Sequence, residues 1–345
     1  MKIILDAMGG DLAPEAPVLG AIQAAKDFGA QITLVGRGEE ILEAMRKNGI
    51  DTLPDGVEIA NADDVVDMHD DPARVIRQKP NSSMVMGLKM LSDGQGDAFI
   101  SAGSTGALLT GATLLVKRVK GVRRAAMGPA MPNKAGGKTV ILDCGANAEC
   151  TPEFLLQFGL IGSLFAKKNL GVANPRVGLL NIGTEDTKGT PLQKQAYALL
   201  TQAHEKGLLN FVGNVEARGV PLGEVDVVVC DGFSGNVLLK SIEGTASFMG
   251  SLMSKMFKKN LFSKLAAALV MKDIKAFKKL LDYREIGGTQ FLGIKKPVIK
   301  AHGSSDVRAF RNAVHQAMEA AKKDISAELE QGLQELKILE DAAND

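Results

Sequence analysis

The sequence predicts an α/β protein, a mostly parallel sheet with helices on both faces, built as a single domain over residues 1–345. Three observations predict it. Short apolar runs rich in Val, Ile and Leu alternate with longer stretches of helical period, the pattern of repeated βα units. Six of those runs empty into polar turns of Gly, Asn, Asp and Ser. Apolar residues make up 45% of the chain but aromatics only 4%, with no Trp, so the core they fill is aliphatic.

Lys2–Asp6 reads as a buried first strand, followed by Asp6-Ala7-Met8-Gly9-Gly10-Asp11 and a helix from Pro14 and Glu15 to about Phe28. Residues 31–35 form a second strand and 39–48 a helix closed by Gly49. Gly36-Arg37-Gly38-Glu39-Glu40-Ile41 begins like a dinucleotide fingerprint but lacks its third glycine and its acidic residue, so it is rejected. Residues 57–60 are a third strand, and the polar stretch 61–80 a lid or surface excursion. Ser82 caps a helix to about Leu91.

Residues 98–100 then lead into Ser101-Ala102-Gly103-Ser104-Thr105-Gly106 and an apolar helix over 107–116. Residues 125–132 are extended, and 139–143 a strand ending in Asp143-Cys144-Gly145-Ala146-Asn147. The helix Pro152–Asn169 follows, then the strand Arg176–Asn181 with its turn through Lys188 and Gly189, and the helix Pro191–Glu205. Residues 209–212 and 225–230 are strands, the second ending in Asp231-Gly232-Phe233-Ser234-Gly235-Asn236. After a long helical region, 297–300 is the last strand, ending in Ala301-His302-Gly303-Ser304-Ser305 before a C-terminal helix. The tail 324–345 carries seven acidic residues and one Lys, and its end is expected to be a solvated helix or frayed.

In parallel α/β sheets ligands bind outside the carboxyl ends of the strands. Six polar turns on one such edge make a site, and turns of small residues aim N–H groups at an oxyanion. The candidate binding residues are Asp6, Gly9, Gly10, Asp11, Ser101, Gly103, Ser104, Thr105, Gly106, Asp143, Asn147, Asp231, Gly232, Ser234 and Gly235. Lys188, between Thr187 and Gly189, is the candidate cation for a phosphate; a solvated loop lysine is the plain alternative. Asn147 and Asn236 offer neutral donors to a developing oxyanion, or else are turn and cap residues. His302 is a candidate acid or base, although a lone His is more often structural. The carboxylates orient donors, because bare carboxylates repel phosphate.

Other chemistries lack their residues. Gly137-Lys138-Thr139 has the end of a phosphate-binding loop without its first glycine, and Gly232-Phe233-Ser234-Gly235 has the wrong spacing for a serine-hydrolase elbow. His69, His204, His302 and His315 show no ligand spacing, so neither metal nor cofactor is expected. Cys144, Cys150 and Cys230, odd in number, point to a reducing compartment, and Cys144 and Cys230 read as small buried hydrophobes. Net charge is +1, without the basic excess of a nucleic-acid binder. A strand beginning at Lys2 argues against a leader, and no apolar run reaches the ~18 residues of a membrane span.

Residues 246–286 stand apart as a basic helical insertion. From Ser251 to Arg284 there are nine Lys or Arg against two Asp, a net of +7. Lys255, Lys258, Lys259, Lys264, Lys272 and Lys275 are interleaved with Leu261, Phe262 and Leu265 at helical spacing. Two amphipathic helices broken near 271–273 would form a protruding hairpin suited to an anionic membrane surface or an acidic protein. A hairpin packed on the core or on a second subunit is the structural alternative.

At these turns the chain closely resembles the bacterial acyl-acyl carrier protein:phosphate acyltransferase family, PlsX. The residues that carry the resemblance are DAMGGD from Asp6, SAGSTGA from Ser101, DCGAN from Asp143, NIGTEDTKG from Asn181, GNVE from Gly213, DGFSGN from Asp231 and HGS from His302. Only Ser104 departs, at a position where Asn is common in the family. The resemblance implies a fold like phosphotransacetylases and isopropylmalate dehydrogenases. It also implies transfer of a long fatty acyl group from acyl carrier protein to inorganic phosphate for phospholipid synthesis. A homodimer in the cytoplasm, attached peripherally to the inner face of the cell membrane and feeding a downstream glycerol-3-phosphate acyltransferase, completes what it implies. A short-chain acyl-coenzyme A phosphotransferase shares the turns but has no use for the basic segment.

Overall fold

The computed structural model describes residues 1–274, 283–285 and 287–342. In chain order the strands and helices are β1 (Lys2–Asp6), α1 (Glu15–Phe28), β2 (Gln31–Gly36), α2 (Gly38–Lys47), β3 (Val57–Asn61), α3 (Val75–Gln78) and α4 (Ser83–Ser92). Next come β4 (Ala98–Ser101), α5 (Thr105–Gly111), a π-helical turn (Ala112–Val116), β5 (Ala126–Met127), β6 (Ala130–Pro132) and β7 (Lys138–Leu142). The chain continues through α6 (Pro152–Asn169), β8 (Arg176–Asn181), α7 (Pro191–Glu205), β9 (Asn210–Glu216), β10 (Val227–Val229), α8 (Gly232–Lys258) and α9 (Leu261–Leu269). It closes with β11 (Gly288–Leu292), β12 (Val298–Ala301), α10 (Val307–Lys322) and α11 (Ser326–Ala342).

The alternation predicted an α/β fold, and that is the fold found, but the strands divide between two sheets. One has seven strands in the order β3-β2-β1-β4-β12-β11-β5; the other has five, β6-β7-β10-β8-β9. Pairing is parallel except at β11 with β12 and β5, and at β6 with β7. The segment 125–132, expected as one extended piece, passes between the sheets: β5 joins the larger and β6 the smaller. Gly128 makes the crossing. A Cβ there would lie 2.5 Å from Leu142 Cδ1 of one sheet and 2.7 Å from Leu292 Cδ1 of the other, so a larger residue would push both leucines aside. The strand β11 was not expected; its run Gly288-Thr289-Gln290 is too polar to announce itself.

Strand alternation places Ile3, Leu5, Ile32, Leu34, Ile100 and Ile299 on one face of the larger sheet, under α1 and α10. Ile4, Phe99 and Val298 face the opposite way, toward Met84 and Leu88 of α4 and Leu108 of α5. The smaller sheet packs Val140, Leu142, Val177, Leu179, Val227 and Val229 with α6 and α7, and Ile141 and Val228 with Leu238 and Leu239 of α8. Each such buried side chain contributes about 1.5–3 kcal/mol, the main support of the fold.

The first part of the acidic tail carries an apolar stripe: Leu329, Leu333 and Leu336, spaced four and three apart, are buried against α6. The Gly232–Asn236 stretch is not a loop but the first turn of α8, which runs 27 residues without interruption at 246. The basic segment breaks twice, at Lys259 and Asn260 and again at Val270, where α9 ends beside the expected 271–273; Asn260 caps α9, its Oδ1 accepting Ser263 N at 2.8 Å. Asn prefers a cap to a helix interior, which accounts for the first break; residues 271–274 are helical again after the second. Lys275 and most of the stretch up to 286 lie outside the described residues.

Candidate active site

The polar turns do sit at strand carboxyl ends, but as two triplets, one on each sheet. On the larger sheet they follow β1, β4 and β12, which are adjacent. Ser101 Oγ donates to Asp6 Oδ2 at 2.7 Å and accepts Gly103 N at 3.1 Å; Asp6 Oδ1 accepts Met8 N at 3.1 Å. Asp11 N donates to Gly303 O at 2.8 Å, which ties the first turn to the third. A Cβ at Gly9 would lie 2.8 Å from both Asp6 Oδ2 and Gly103 N, and one at Gly10, where φ is +103°, 3.0 Å from Gly303 O. These glycines let three backbones close on one another. Ser104 caps α5 by accepting Ala107 N at 3.5 Å, and Gly106 packs against Pro72 of the 61–80 excursion. Burial pushes the Asp6 carboxyl up, against hydrogen bonds from Ser101, Ser83, Met8 and Gly9.

On the smaller sheet Asp143 is the organising group. Its Oδ1 accepts Met127 N at 2.8 Å and Ala146 N at 3.2 Å; its Oδ2 accepts Asn147 N at 2.6 Å and Asn147 Nδ2 at 3.1 Å. Burial dominates and raises its pKa even so. Asn147 Nδ2 also donates to Ala125 O at 2.8 Å, which commits both amide hydrogens. Asn147 thus ties the turn to Ala125, just before β5, the turn-residue reading of this side chain. Asp231 caps α8, accepting Ser234 N and Ser234 Oγ at 2.8 Å each. Gly232 N donates to Asn147 O at 2.7 Å, and a Cβ at Gly235 would lie 1.9 Å from Asp143 O. Asn236, one residue on, is exposed beside Gly145, and among the described residues its side-chain amide makes no hydrogen bond.

The triplets communicate at two places. The 143–147 turn hydrogen-bonds to β5 of the larger sheet through Met127 and Ala125. Across the gap, Lys240 and Glu243 of α8 lie near enough to His302 to act on its charge. Burial, Lys240 and Lys300 together lower the His302 pKa, so its imidazole is neutral at pH 7; its Nδ1 accepts Ser304 N at 3.3 Å.

Lys188 stands farther out. Its ammonium is 3.9 Å from Glu185 Oε1 and its carbonyl accepts Asn181 Nδ2, while Asn214 of β9 holds the same turn at Glu185 O. None of these contacts reaches the other turns. Sequence reasoning missed a cation that does: Lys300, on β12, donates to Ala102 O at 3.2 Å and to Ala301 O. Burial pulls its pKa down to about 8, with Asp11 and Asp6 pulling the other way. Its signal was a lysine inside the apolar run Val298-Ile299-Lys300-Ala301, two residues before His302.

Cys144 and Cys230 are buried, and burial pushes both thiols well above the usual range; Cys150 rises to about 12. A cleft of about 640 Å³ opens beside the first turn, but Glu15, Glu40, Glu43 and Asp306 line it with Lys47, walls that repel an anion. Along the basic segment Phe248, Leu252, Met256, Leu261, Phe262, Leu265 and Leu269 are exposed, Phe262 by 83% and Leu269 by 88%, on α8 and the α9 helix packed against it. Among the described residues no helix is long and apolar enough to cross a membrane.

A family profile described as "Fatty acid synthesis protein" matches residues 1–328. A protein of Alkaliphilus oremlandii (strain OhILAs) named "Phosphate acyltransferase" is 46% identical over 336 residues, covering 97% of this chain and 98% of that protein. One of the same name from Brevibacillus brevis is 46% identical over 334 residues, covering 97% and 98%. Among solved structures, a phosphotransacetylase from Streptococcus pyogenes superposes with a TM-score of 0.63 at 18% identity, over 94% of each chain. A putative 4-hydroxythreonine-4-phosphate dehydrogenase from Salmonella typhimurium gives 0.55 at 15% identity, over 92% of this chain and 98% of that one. The last two show a shared fold.

Proposed function

The chain belongs to the fatty acid synthesis protein family of phosphate acyltransferases, PlsX, and from that premise we propose that acyl carrier protein is its donor and a long-chain acyl phosphate for phospholipid synthesis its product. The near full-length match to phosphate acyltransferases carries the transfer to phosphate. The donor is argued from the basic, apolar surface of α8 and α9, which suits an acidic carrier protein or an anionic lipid surface.

In the proposed reaction a phosphate oxygen attacks the thioester carbonyl carbon, the C–S bond breaks, and acyl phosphate and the carrier thiol result. The leaving thiolate has a pKa near ~8.5 and needs little help from an acid. Buried thiols at Cys144 and Cys230, pushed far from ionisation, favour direct attack over an acyl-enzyme. The exposed amide of Asn236 is the donor for the tetrahedral oxyanion, an effect of about 3–4 kcal/mol. Lys188 supplies positive charge from the turn after β8, and neutral His302 accepts a proton at the rim. The protein works as a homodimer held peripherally at the membrane by α8 and α9, handing product to a glycerol-3-phosphate acyltransferase.

Thioester consumption from a long-chain acyl carrier protein, with and without inorganic phosphate, tests this. Phosphate-dependent loss, faster than with a short-chain acyl-coenzyme A, is expected. Preference for the coenzyme A donor assigns the protein to short-chain phosphotransferases instead. Vesicle binding with no thioester loss makes it a membrane scaffold.

A further inference from the structure

We propose that Lys300 is the contact cation for the attacking phosphate, held ready on the rim of the seven-stranded sheet. This assignment rests on the acyl transfer to phosphate proposed above and deepens it, because it names the group that binds the nucleophile.

Three adjacent strands put the cation in place. β12 pairs with β4 so that Lys300 lies beside Ser101, and the register of β4 with β1 continues from Leu5 and Ile100 to Asp6 and Ser101. Alternation along each strand turns all three side chains to one face, the face of Ile4, Phe99 and Val298. Asp6, Ser101 and Lys300 therefore form a row at the carboxyl edge of the sheet. Asp6 and Ser101 are bonded to each other, while the Lys300 ammonium meets only the carbonyls of Ala102 and Ala301. Among the described residues no carboxylate comes within ion-pair distance of it. A partly buried ammonium held by carbonyls alone lacks an anion, and phosphate is the anion this reaction brings.

The charges around Lys300 fix the sign of its pH dependence. Asp6 of β1 and Asp11 of the following turn stabilise the ammonium at longer range, and His302 lies just beyond it, with Lys240 and Glu243 of α8 behind. β4 and β11 carry no charged residue. On the opposite face α10 presents Ala309, Phe310, Ala313 and Val314, and its Arg308 and Arg311 are paired with Glu285 and Asp27. On the Lys300 face α5 carries no charge and Lys89 of α4 is bonded to Pro80 O. The ammonium is present below a pH of about 8 and lost above it, so phosphate binding weakens as the pH rises.

The test measures KM for inorganic phosphate and for the acyl donor separately, in the full chain and in Lys300→Met and Lys300→Arg. Lys300→Met is expected to raise the phosphate KM by about 10- to 100-fold with the donor KM nearly unchanged. Lys300→Arg restores binding in part and removes the rise in phosphate KM above a pH of about 8. Phosphate's own ionisation is common to both proteins and cancels in their ratio. A donor KM that rises while the phosphate KM stays fixed places Lys300 on the phosphodiester of the carrier's arm and overturns the proposal. Equal losses in both, with an unshifted pH profile in Lys300→Arg, mark a structural lysine and overturn it too.

The wild-type protein gives a reading that survives misfolded variants: acetylation of Lys300 by an amine-reactive ester, followed by mass spectrometry. Inorganic phosphate is expected to slow it several-fold relative to chloride at equal ionic strength, and equal rates refute the assignment. Phosphate-dependent turnover with unaffected Lys300 defeats this inference alone. Absence of any phosphate-dependent turnover defeats the proposed function beneath it.

Discussion

At the scale of single residues, buried carboxylates and most amides do the building, and the proposed reaction draws on Lys300, Lys188 and the Asn236 amide. Asp143 accepts four N–H groups from Met127, Ala146 and Asn147, so its value is positional. Asp143→Asn sets an NH2 against those donors, and we expect a loss of about 2–3 kcal/mol in denaturant melts at pH 7. The pH sign differs from that of a salt-bridged carboxylate. The native pKa is raised, so the native state holds the proton longer than the unfolded chain, and stability falls as pH rises from the ordinary carboxylate range through the native value. Melts across that window should show the fall in the wild type and less of it in Asp143→Asn. Lys188, by contrast, makes one long contact to Glu185 and holds nothing up. Lys188→Ala should leave the melt unchanged and lower acyl-phosphate formation about 10- to 100-fold, the cost of one charge-assisted contact; full activity would return Lys188 to the status of a solvated lysine.

At the scale of elements, helix α8 links the two halves of the proposal. Its first turn carries Asp231, Gly232, Ser234 and Asn236 at the rim, and its far end carries Lys255 and Lys258 beside exposed Phe248, Leu252 and Met256. Leu261→Glu or Leu265→Glu in α9 should release the protein from anionic vesicles in a sedimentation assay while turnover on soluble donor persists. Binding that survives both changes argues against insertion of that face. The basic run was legible because charge and period are local properties. That α8 begins at the rim was not, since Asp231-Gly232-Phe233-Ser234-Gly235-Asn236 reads equally as a turn or a capped helix start. Leu329, Leu333 and Leu336 show the same limit: acidic composition hid an apolar stripe that only α6 reveals as buried.

At the scale of the whole molecule, alternation of strand and helix disclosed the α/β class and that all six turns follow strand carboxyl ends, but placed on one edge what are two triplets. The division into two sheets was hidden, because it depends on one glycine crossing at Gly128 and on antiparallel pairing by β11. Two sheets give two rims, and the proposed reaction spans them: phosphate at the larger, oxyanion and donor at the smaller. A single-turnover reaction with long-chain acyl carrier protein and 18O-labelled inorganic phosphate tests that account most directly. Direct attack predicts that thioester loss requires phosphate and that labelled oxygen bridges acyl carbon and phosphorus in the product, with no acyl group on the protein. Thioester loss in the absence of phosphate, leaving the acyl group on a protein side chain, would contradict it.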